Sequence, residues 1–239
     1  MTRTLLLISA LGALVACVDE PSTRADDPPA AETSFGEDLS YSCGGVTFPV
    51  AAIEDRQSPS DDLLAAIEKL RKSRREGDIV PPDGWFMVAG TRDRATLLAP
   101  LGDKFAYATF EKKGQGWDVP AWARNCVPRL HVPGKSVLRW AFREGAYPPD
   151  SGATELNLLV IEDECSSARD IEGLIEANVE YREDRVDVVL TAPGLERGAY
   201  TCQGTPPTEY ELVLSEPVGD REVIDLSVYP QVEPGTSLP

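Results

Sequence analysis

The sequence is poor in histidine: His131 is the single one among 239 residues. A serine hydrolase of the usual kind needs a histidine base beside its nucleophile, and common zinc sites need three or four His, Cys or acidic ligands. One histidine can build neither arrangement in its common form. A cysteine nucleophile would also need this histidine. Cys126 lies only five residues from it, but we expect that cysteine to be bridged.

Several sequence motifs that carry chemistry are also missing. The chain has no Gly-x-Ser-x-Gly, no Ser-x-x-Lys and no Gly-x-x-x-x-Gly-Lys. It has no Asp-x-Asp-x-Asp-Gly calcium loop, so we interpret Glu162-Asp163-Glu164 as a solvated strand end rather than a calcium site. We therefore predict no catalytic residue, no metal site and no cofactor. Paired acids of a glycoside hydrolase stay open, because they are recognised in space and not in sequence.

Positive charge is scarce, with 23 Lys and Arg against 40 Asp and Glu, for a net charge of -17. Such a surface repels nucleic acid, so we predict no nucleic-acid partner. The acidity suits either solubility or an affinity for cations and basic partners. The one basic cluster covers residues 69–75. It either holds phosphate groups of lipid or wall polymer, or neutralises the dipole at the end of a helix.

The first seventeen residues have the composition of an export signal. Arg3 is followed by an uncharged run over residues 5–16, which is too short to stay in a membrane as a spanning helix. Leu14-Val15-Ala16-Cys17 resembles the lipobox of bacterial lipoproteins. The resemblance implies that residues 1–16 are a signal peptide, and that Cys17 is diacylated and becomes the new N-terminus. The protein would then be lipid-anchored outside the cytoplasm, on the bacterial cell membrane; the alternative is an ordinary secreted protein.

Four further cysteines form an even set in an exported chain, which predicts disulfides. Three connectivities are open to Cys43, Cys126, Cys165 and Cys202. We favour Cys43–Cys126 and Cys165–Cys202, because each pair then stays within one half of the chain. Metal binding by these thiols is disfavoured, since there is no Cys-x-x-Cys and only one histidine.

The composition divides the chain into segments. Residues 17–40 are rich in Pro, Ala and acid, which predicts a disordered tether after the lipidated N-terminus. Residues 232–239 predict a loose tail. Between them, Val132-Pro133-Gly134 suggests a boundary between a subdomain at 41–133 and another at 134–231. Whether these are one domain or two stays open.

One helix is predicted, over residues 59–76. Ser58 is the expected cap, Pro59 suits the first helical position, and Gly77 ends the run. The apolar stripe is Leu63, Leu64, Ile67 and Leu70.

Alternating segments then predict strands. In the first half they are 85–88, 95–98, 104–111 and 117–119; in the second half they are 138–142, 156–161, 178–182, 186–190, 210–214 and 222–226. The predicted fold class is α+β, mostly β: one helix packed on a small antiparallel sheet, followed by a β-sandwich-like domain. The second half, with Cys165 after one strand and Cys202-Gln203-Gly204 before another, is similar to uncharacterised exported lipoproteins of high-G+C Gram-positive bacteria. This resemblance implies no activity.

Exposed tryptophan binds sugars and proteins, and most of the four tryptophans here should be in the core. Trp117 and Trp122 flank Pro120, and Trp122 is the candidate binding residue: if it is exposed, it marks a binding face. We therefore predict a non-catalytic binding or structural module of the bacterial envelope, with an envelope protein or wall polymer as partner. The alternative is a hydrolase acting on wall glycans or peptides, which would need facing carboxylates or His131 beside an acid.

Overall fold

A computed structural model describes residues 39–74, 79–163, 165–196, 198–203, 206–236 and 238. Within these residues the fold is mostly β with two helices, which confirms the predicted fold class. The helices are α1 (Val50–Asp55) and α2 (Asp61–Ser73). The strands are β1 (Ser40–Cys43), β2 (Val46–Pro49), β3 (Phe86–Gly90), β4 (Arg94–Leu101), β5 (Lys104–Lys113), β6 (Gly116–Cys126), β7 (Arg129–Leu130), β8 (Lys135–Phe142), β9 (Glu155–Ile161), β10 (Glu176–Tyr181), β11 (Arg185–Pro193), β12 (Thr208–Val213) and β13 (Glu222–Asp225).

Helix α2 packs on a four-stranded antiparallel sheet of order β3-β4-β5-β6. Three residues of the predicted stripe are buried, whereas Leu64 is exposed. The helix starts two residues later than predicted, because Ser60 and not Ser58 occupies the capping position, and its carbonyl accepts the N–H of Leu64. The helix ends at Ser73, and Gly77 lies outside the described residues.

Helix α1 is an element that the sequence analysis missed. It has six residues and directly follows β2, and Ile53 is its one buried residue. A helix this short shows no apolar stripe, so periodicity cannot detect it.

Strands β1, β2 and β7 form a small sheet of order β2-β1-β7. The β1–β2 hairpin turns at Gly44 and Gly45, which both have positive φ angles of 56° and 77°. A side chain on Gly44 would also collide with the ring of Tyr107. This turn therefore requires glycine at its first position.

The second half is built around a strand that changes partners. The first part of β8 pairs with β11, and its second part, from Arg139 onward, pairs with β9. The edge of β11 that β8 leaves is taken up by β13, which runs parallel to it, with Val188 opposite Asp225. Strands β10 and β12 complete the sheet at its two ends. The bent sheet encloses a core that includes Trp140 and Phe142.

The two halves share a core, and all the described residues belong to one compact unit. Tyr41, Phe86 and Leu98 from the first half pack in one cluster with Ile224 and Leu226 from the second. The hydroxyl of Tyr41 also donates to the carbonyl of Leu226, at 3.2 Å. The break suggested at residues 132–134 is therefore a turn between strands that pack on common neighbours.

Both favoured disulfides are formed. Cys43–Cys126 joins β1 to the end of β6, with the two Cα atoms 6.1 Å apart. Cys165–Cys202 joins the loop after β9 to the loop before β12, with a Cα separation of 4.1 Å. Each bridge closes a long chain loop within one half of the sequence, as expected.

The C-terminal segment differs from the loose tail that its composition predicts. The carbonyl of Val232 accepts the N–H of Asp225, and the carbonyl of Gly235 accepts the N–H of Phe142. Pro234 between them is buried. Proline and glycine suppress the sequence signal of a strand, yet single backbone bonds still hold this segment against β13 and β8.

Candidate ligand-binding cavity

A cavity of about 690 Å³ lies where β8 and β13 separate along the edge of β11. Its charged lining residues are Asp103, Lys104, Arg129, Arg139, Asp225 and Glu233. Its apolar and aromatic lining comes from Val127, Trp140, Val228, Tyr229, Pro230 and Val232. Both halves of the chain contribute to it, because Asp103 lies in the β4–β5 turn, Lys104 begins β5, and Asp225 ends β13.

Two arginines of the cavity are fixed by one carboxylate. Oδ2 of Asp163 accepts from Nη2 of Arg129 and from Nη1 of Arg139, each at 2.7 Å. The side chains of Arg139 and Asp163 are each 16% exposed. Solvent therefore screens the Arg139–Asp163 pair little, whereas Arg129 is 38% exposed and its pair with Asp163 is screened more. Together the three groups form one hydrogen-bonded arrangement.

Asp225 is the most buried acid of the cavity lining. Its Oδ1 accepts the backbone N–H of Ser227 and its Oδ2 accepts the Ser227 hydroxyl, both at 2.8 Å. Burial raises the pKa of Asp225 from 3.8 to about 6, an effect that the bonds from Ser227 and the charge of Arg139 offset only in part. The group therefore takes up a proton at a higher pH than an exposed carboxyl does.

Trp140 places a buried donor beside Asp225. Its indole N–H lies near enough to the carboxylate to lower the Asp225 pKa slightly. It nevertheless makes no well-aligned hydrogen bond with any described residue. The ring is 2% exposed and packs edge-on against Phe142, with centroids 5.7 Å apart. A buried donor without a good acceptor is a point where a bound acceptor would gain a hydrogen bond.

One wall of the cavity is the C-terminal segment, residues 228–235. Val228 pairs with Arg129 of β7, and the N–H of Tyr229 donates to the carbonyl of Pro128 at 2.9 Å. The Tyr229 ring packs edge-on against Tyr41, at 5.7 Å between centroids. The wall is thus held to the rest of the fold at several points.

The structure places Trp122, the candidate binding residue, away from this cavity. It is half-buried on β6, packs against the core beneath α2, and has the guanidinium carbon of Arg74 5.5 Å from its ring centroid. Arg74 belongs to the basic cluster at residues 69–75. Two other members of that cluster, Arg71 and Lys72, pair with Glu68. Trp117, which with Trp122 flanks Pro120, is likewise half-buried and has the Lys112 ammonium over its ring.

The acidic run before Cys165 is not the solvated strand end that we expected. Glu162 is buried and pairs with Arg169, and Asp163 holds the two arginines of the cavity. Glu164 lies outside the described residues. The sequence shows a charged run but not its arginine partners, which come from other strands. His131 is exposed, and its backbone N–H donates to the carbonyl of Ser40 at 2.7 Å.

Sequence reasoning missed Arg139 and Asp225 as site residues. Both are charged residues next to buried apolar neighbours in predicted strands: Arg139 between Leu138 and Trp140, and Asp225 between Ile224 and Leu226. A charged residue between buried apolar residues in a predicted strand could have indicated a site residue. It does not indicate which charged residues contact one another in the fold.

Other signals are few. The described residues contain no group of three or more His, Cys, Asp or Glu side chains placed to hold a metal ion. In that same part of the chain, no helix is long and apolar enough to cross a membrane. Cys17 and the rest of residues 1–38 lie outside the described residues. The chain matches no protein-family model, no curated protein and no solved structure.

Proposed function

We propose that this protein is an exported, lipid-anchored binding module of the bacterial envelope, and that it binds a small molecule in the cavity between β8 and β13. The observation that carries the proposal is the lining itself. A volume of about 690 Å³ falls in the range of about 300 to 1,000 Å³ that is typical of small-molecule sites. The cavity combines apolar walls with a few fixed polar groups, which is the usual composition of such sites.

The lining indicates the chemistry of the ligand. Arg129, Arg139 and the indole N–H of Trp140, which is poorly aligned with Asp225, are donors, so the ligand should carry an acceptor group such as a carboxylate or carbonyl. Asp225 offers acceptor oxygens beside them. The apolar walls favour a ligand with a non-polar part, such as an acyl, peptide or sugar-linked fragment of the cell wall.

Export and anchoring are proposed from the N-terminal sequence and the cysteines. The lipobox-like Leu14-Val15-Ala16-Cys17 supports acylation at Cys17, and two disulfides in the folded part support an oxidising compartment. In this proposal the membrane is the partner of the N-terminus, and a wall polymer or an envelope protein is the partner of the folded part.

A thermal-shift series on the oxidised protein tests the binding proposal. The compounds are wall glycan fragments, wall peptides, small sugars and calcium. A ligand at 100 times its dissociation constant should raise the free energy of unfolding by about 2.7 kcal/mol, which is a readily measured shift. A shift with a wall fragment or sugar supports the proposal. Absence of any shift contradicts small-molecule binding and favours a protein partner.

Hydrolysis of wall glycans or peptides is the second candidate. The raised pKa of Asp225 in a cavity favours it, because acids with raised pKa values occur at catalytic sites. The test is incubation of the wild type and Asp225→Asn with wall fragments. New reducing ends or amino groups, formed by the wild type and not by the variant, would support catalysis. Fragments left intact by equimolar wild-type protein would exclude it.

A further inference from the structure

A second, smaller pocket adjoins the cavity. Arg129 and Arg139 line both of them, and the small pocket has a volume of about 70 Å³. Its other polar lining residues are Ser42, His131, Lys135 and Ser227, and three aliphatic residues complete it. A space this small admits a group of a few heavy atoms and excludes a whole sugar or nucleotide.

Every polar residue that lines this pocket carries a hydrogen-bond donor. Two guanidiniums, one ammonium, one imidazole and two hydroxyls surround it, and none of its lining residues is an acid. The chain has 40 acidic residues and a net charge of -17, yet the polar part of this pocket's lining consists of donors and cations. Such donors suit a ligand that accepts hydrogen bonds, such as an anion.

Carboxylates that do not line the pocket hold the cations in place. Asp163 accepts one hydrogen bond from Arg129 and one from Arg139. Glu176 accepts from Nζ of Lys135 through both of its oxygens, at 2.7 Å. A guanidinium has five N–H donors. The bond to Asp163 uses one nitrogen of each arginine, which leaves other N–H groups that can bind a ligand. Positions fixed in advance reduce the entropic cost of binding an anion.

We propose that this pocket binds an oxyanion of the phosphate class, either free phosphate or the terminal phosphate of a larger molecule. Planar guanidiniums match two phosphate oxygens at once, and the Lys135 ammonium adds a further cationic donor. Arg129 and Arg139 also line the cavity, whereas Ser42, His131 and Lys135 line only the small pocket, so a Lys135 variant tests the small pocket by itself.

Titration calorimetry on the oxidised protein in phosphate-free buffer tests this site. The probes are inorganic phosphate and glycerol 3-phosphate, and the variants are Lys135→Gln and Arg129→Gln. The matched control is Arg143→Gln, which removes one exposed cation paired with Glu209 outside both pockets. We expect saturable binding of one equivalent, weakened about tenfold or more by Lys135→Gln and changed less than about twofold by Arg143→Gln. Melting curves check that each variant is folded.

The two probes distinguish the source of the anion. Equal affinity supports a site for the free ion, and tighter binding of the monoester supports a site for a terminal phosphate. No saturable binding of either probe, or equal weakening by Lys135→Gln and Arg143→Gln, would overturn the proposal. Lys135→Gln removes no residue that lines the cavity, so loss of the anion site and loss of the cavity ligand are separate results.

Discussion

At the scale of single residues, the cavity depends on charges that hold one another. Asp163 bridges Arg129 and Arg139, and Arg139 in turn acts on the buried Asp225. Removing Arg139 or Asp163, the largely buried members, leaves a partner uncompensated, which costs more than the pair contributes when intact. Substitutions that keep shape and remove only one charge or one N–H are therefore the informative ones.

Asp225→Asn should change how stability depends on pH. The pKa of Asp225 is raised from 3.8 to about 6, so the folded state holds this proton more tightly than the unfolded state. Its stabilising contribution is complete below about pH 3.8 and is lost as the pH rises through about 6. Asn does not titrate, so the variant does not lose stability through this group as the pH rises. Its stability relative to wild type should therefore rise between pH 4 and pH 7, by at most about 3 kcal/mol.

Urea unfolding of both proteins across this pH range measures the difference. Glu233→Gln is the control, because Glu233 lines the cavity but is exposed. A stability difference between Asp225→Asn and wild type that stays constant from pH 4 to pH 7 would show that Asp225 titrates normally.

At the scale of elements, the site arises from strand exchange at one edge. Strand β8 leaves β11 after Leu138, β13 replaces it up to Asp225, and the gap between them becomes the cavity. The C-terminal segment then closes one side. Ligand sites at places where neighbouring strands diverge have the advantage that backbone and side chains from several elements face a common space.

Removal of residues 232–239 should destabilise the fold and abolish binding in the cavity. The deletion removes the acceptors for the N–H groups of Asp225 and Phe142, and with them the buried Pro234. At about 1 kcal/mol for each hydrogen bond, together with the lost burial, we expect a loss of about 2 kcal/mol in the free energy of unfolding. Removal of residues 237–239 alone is the control. Unchanged stability in the longer deletion would mean that the segment is the loose tail that its composition predicts.

The elements were more predictable than the site. Alternation predicted each described strand of the second half, and an apolar stripe at helical spacing predicted the helix on the first sheet, because burial of one face imposes a period on the sequence. The cavity depends instead on contacts between residues far apart, such as Asp163 with Arg129 and Val188 with Asp225. The spacing of residues along the sequence does not predict these contacts. The arginine partner of Glu162 could not be predicted for the same reason. Helix α1 was missed because its six residues are too few to show a helical period.

At the scale of the whole molecule, an acidic folded unit follows a segment proposed to be a lipidated tether. The strong net charge keeps the folded unit away from anionic lipid surfaces, so anchoring would rest on the acyl chains at Cys17 alone. One acyl chain gives only marginal, reversible binding, whereas two give stable binding.

Cys17→Ala should release the protein from the membrane. In a bacterial host, the wild type should incorporate labelled palmitate and sediment with membranes, and the variant should do neither, because the acylated thiol is gone. Both proteins should retain the two disulfides of the folded part, which checks that export still occurs. Membrane association of unlabelled Cys17→Ala would contradict the lipid anchor.

The measurement that tests the central claim most directly is the dissociation constant of the best wall-derived ligand for wild type, Trp140→Phe and Trp122→Phe. Both variants lose one indole N–H, but only Trp140 lines the cavity. We expect Trp140→Phe to weaken binding about tenfold, through the lost buried hydrogen bond, and Trp122→Phe to change it less than about twofold. Weakening by Trp122→Phe with no effect of Trp140→Phe would contradict the cavity and would place the binding face on β6.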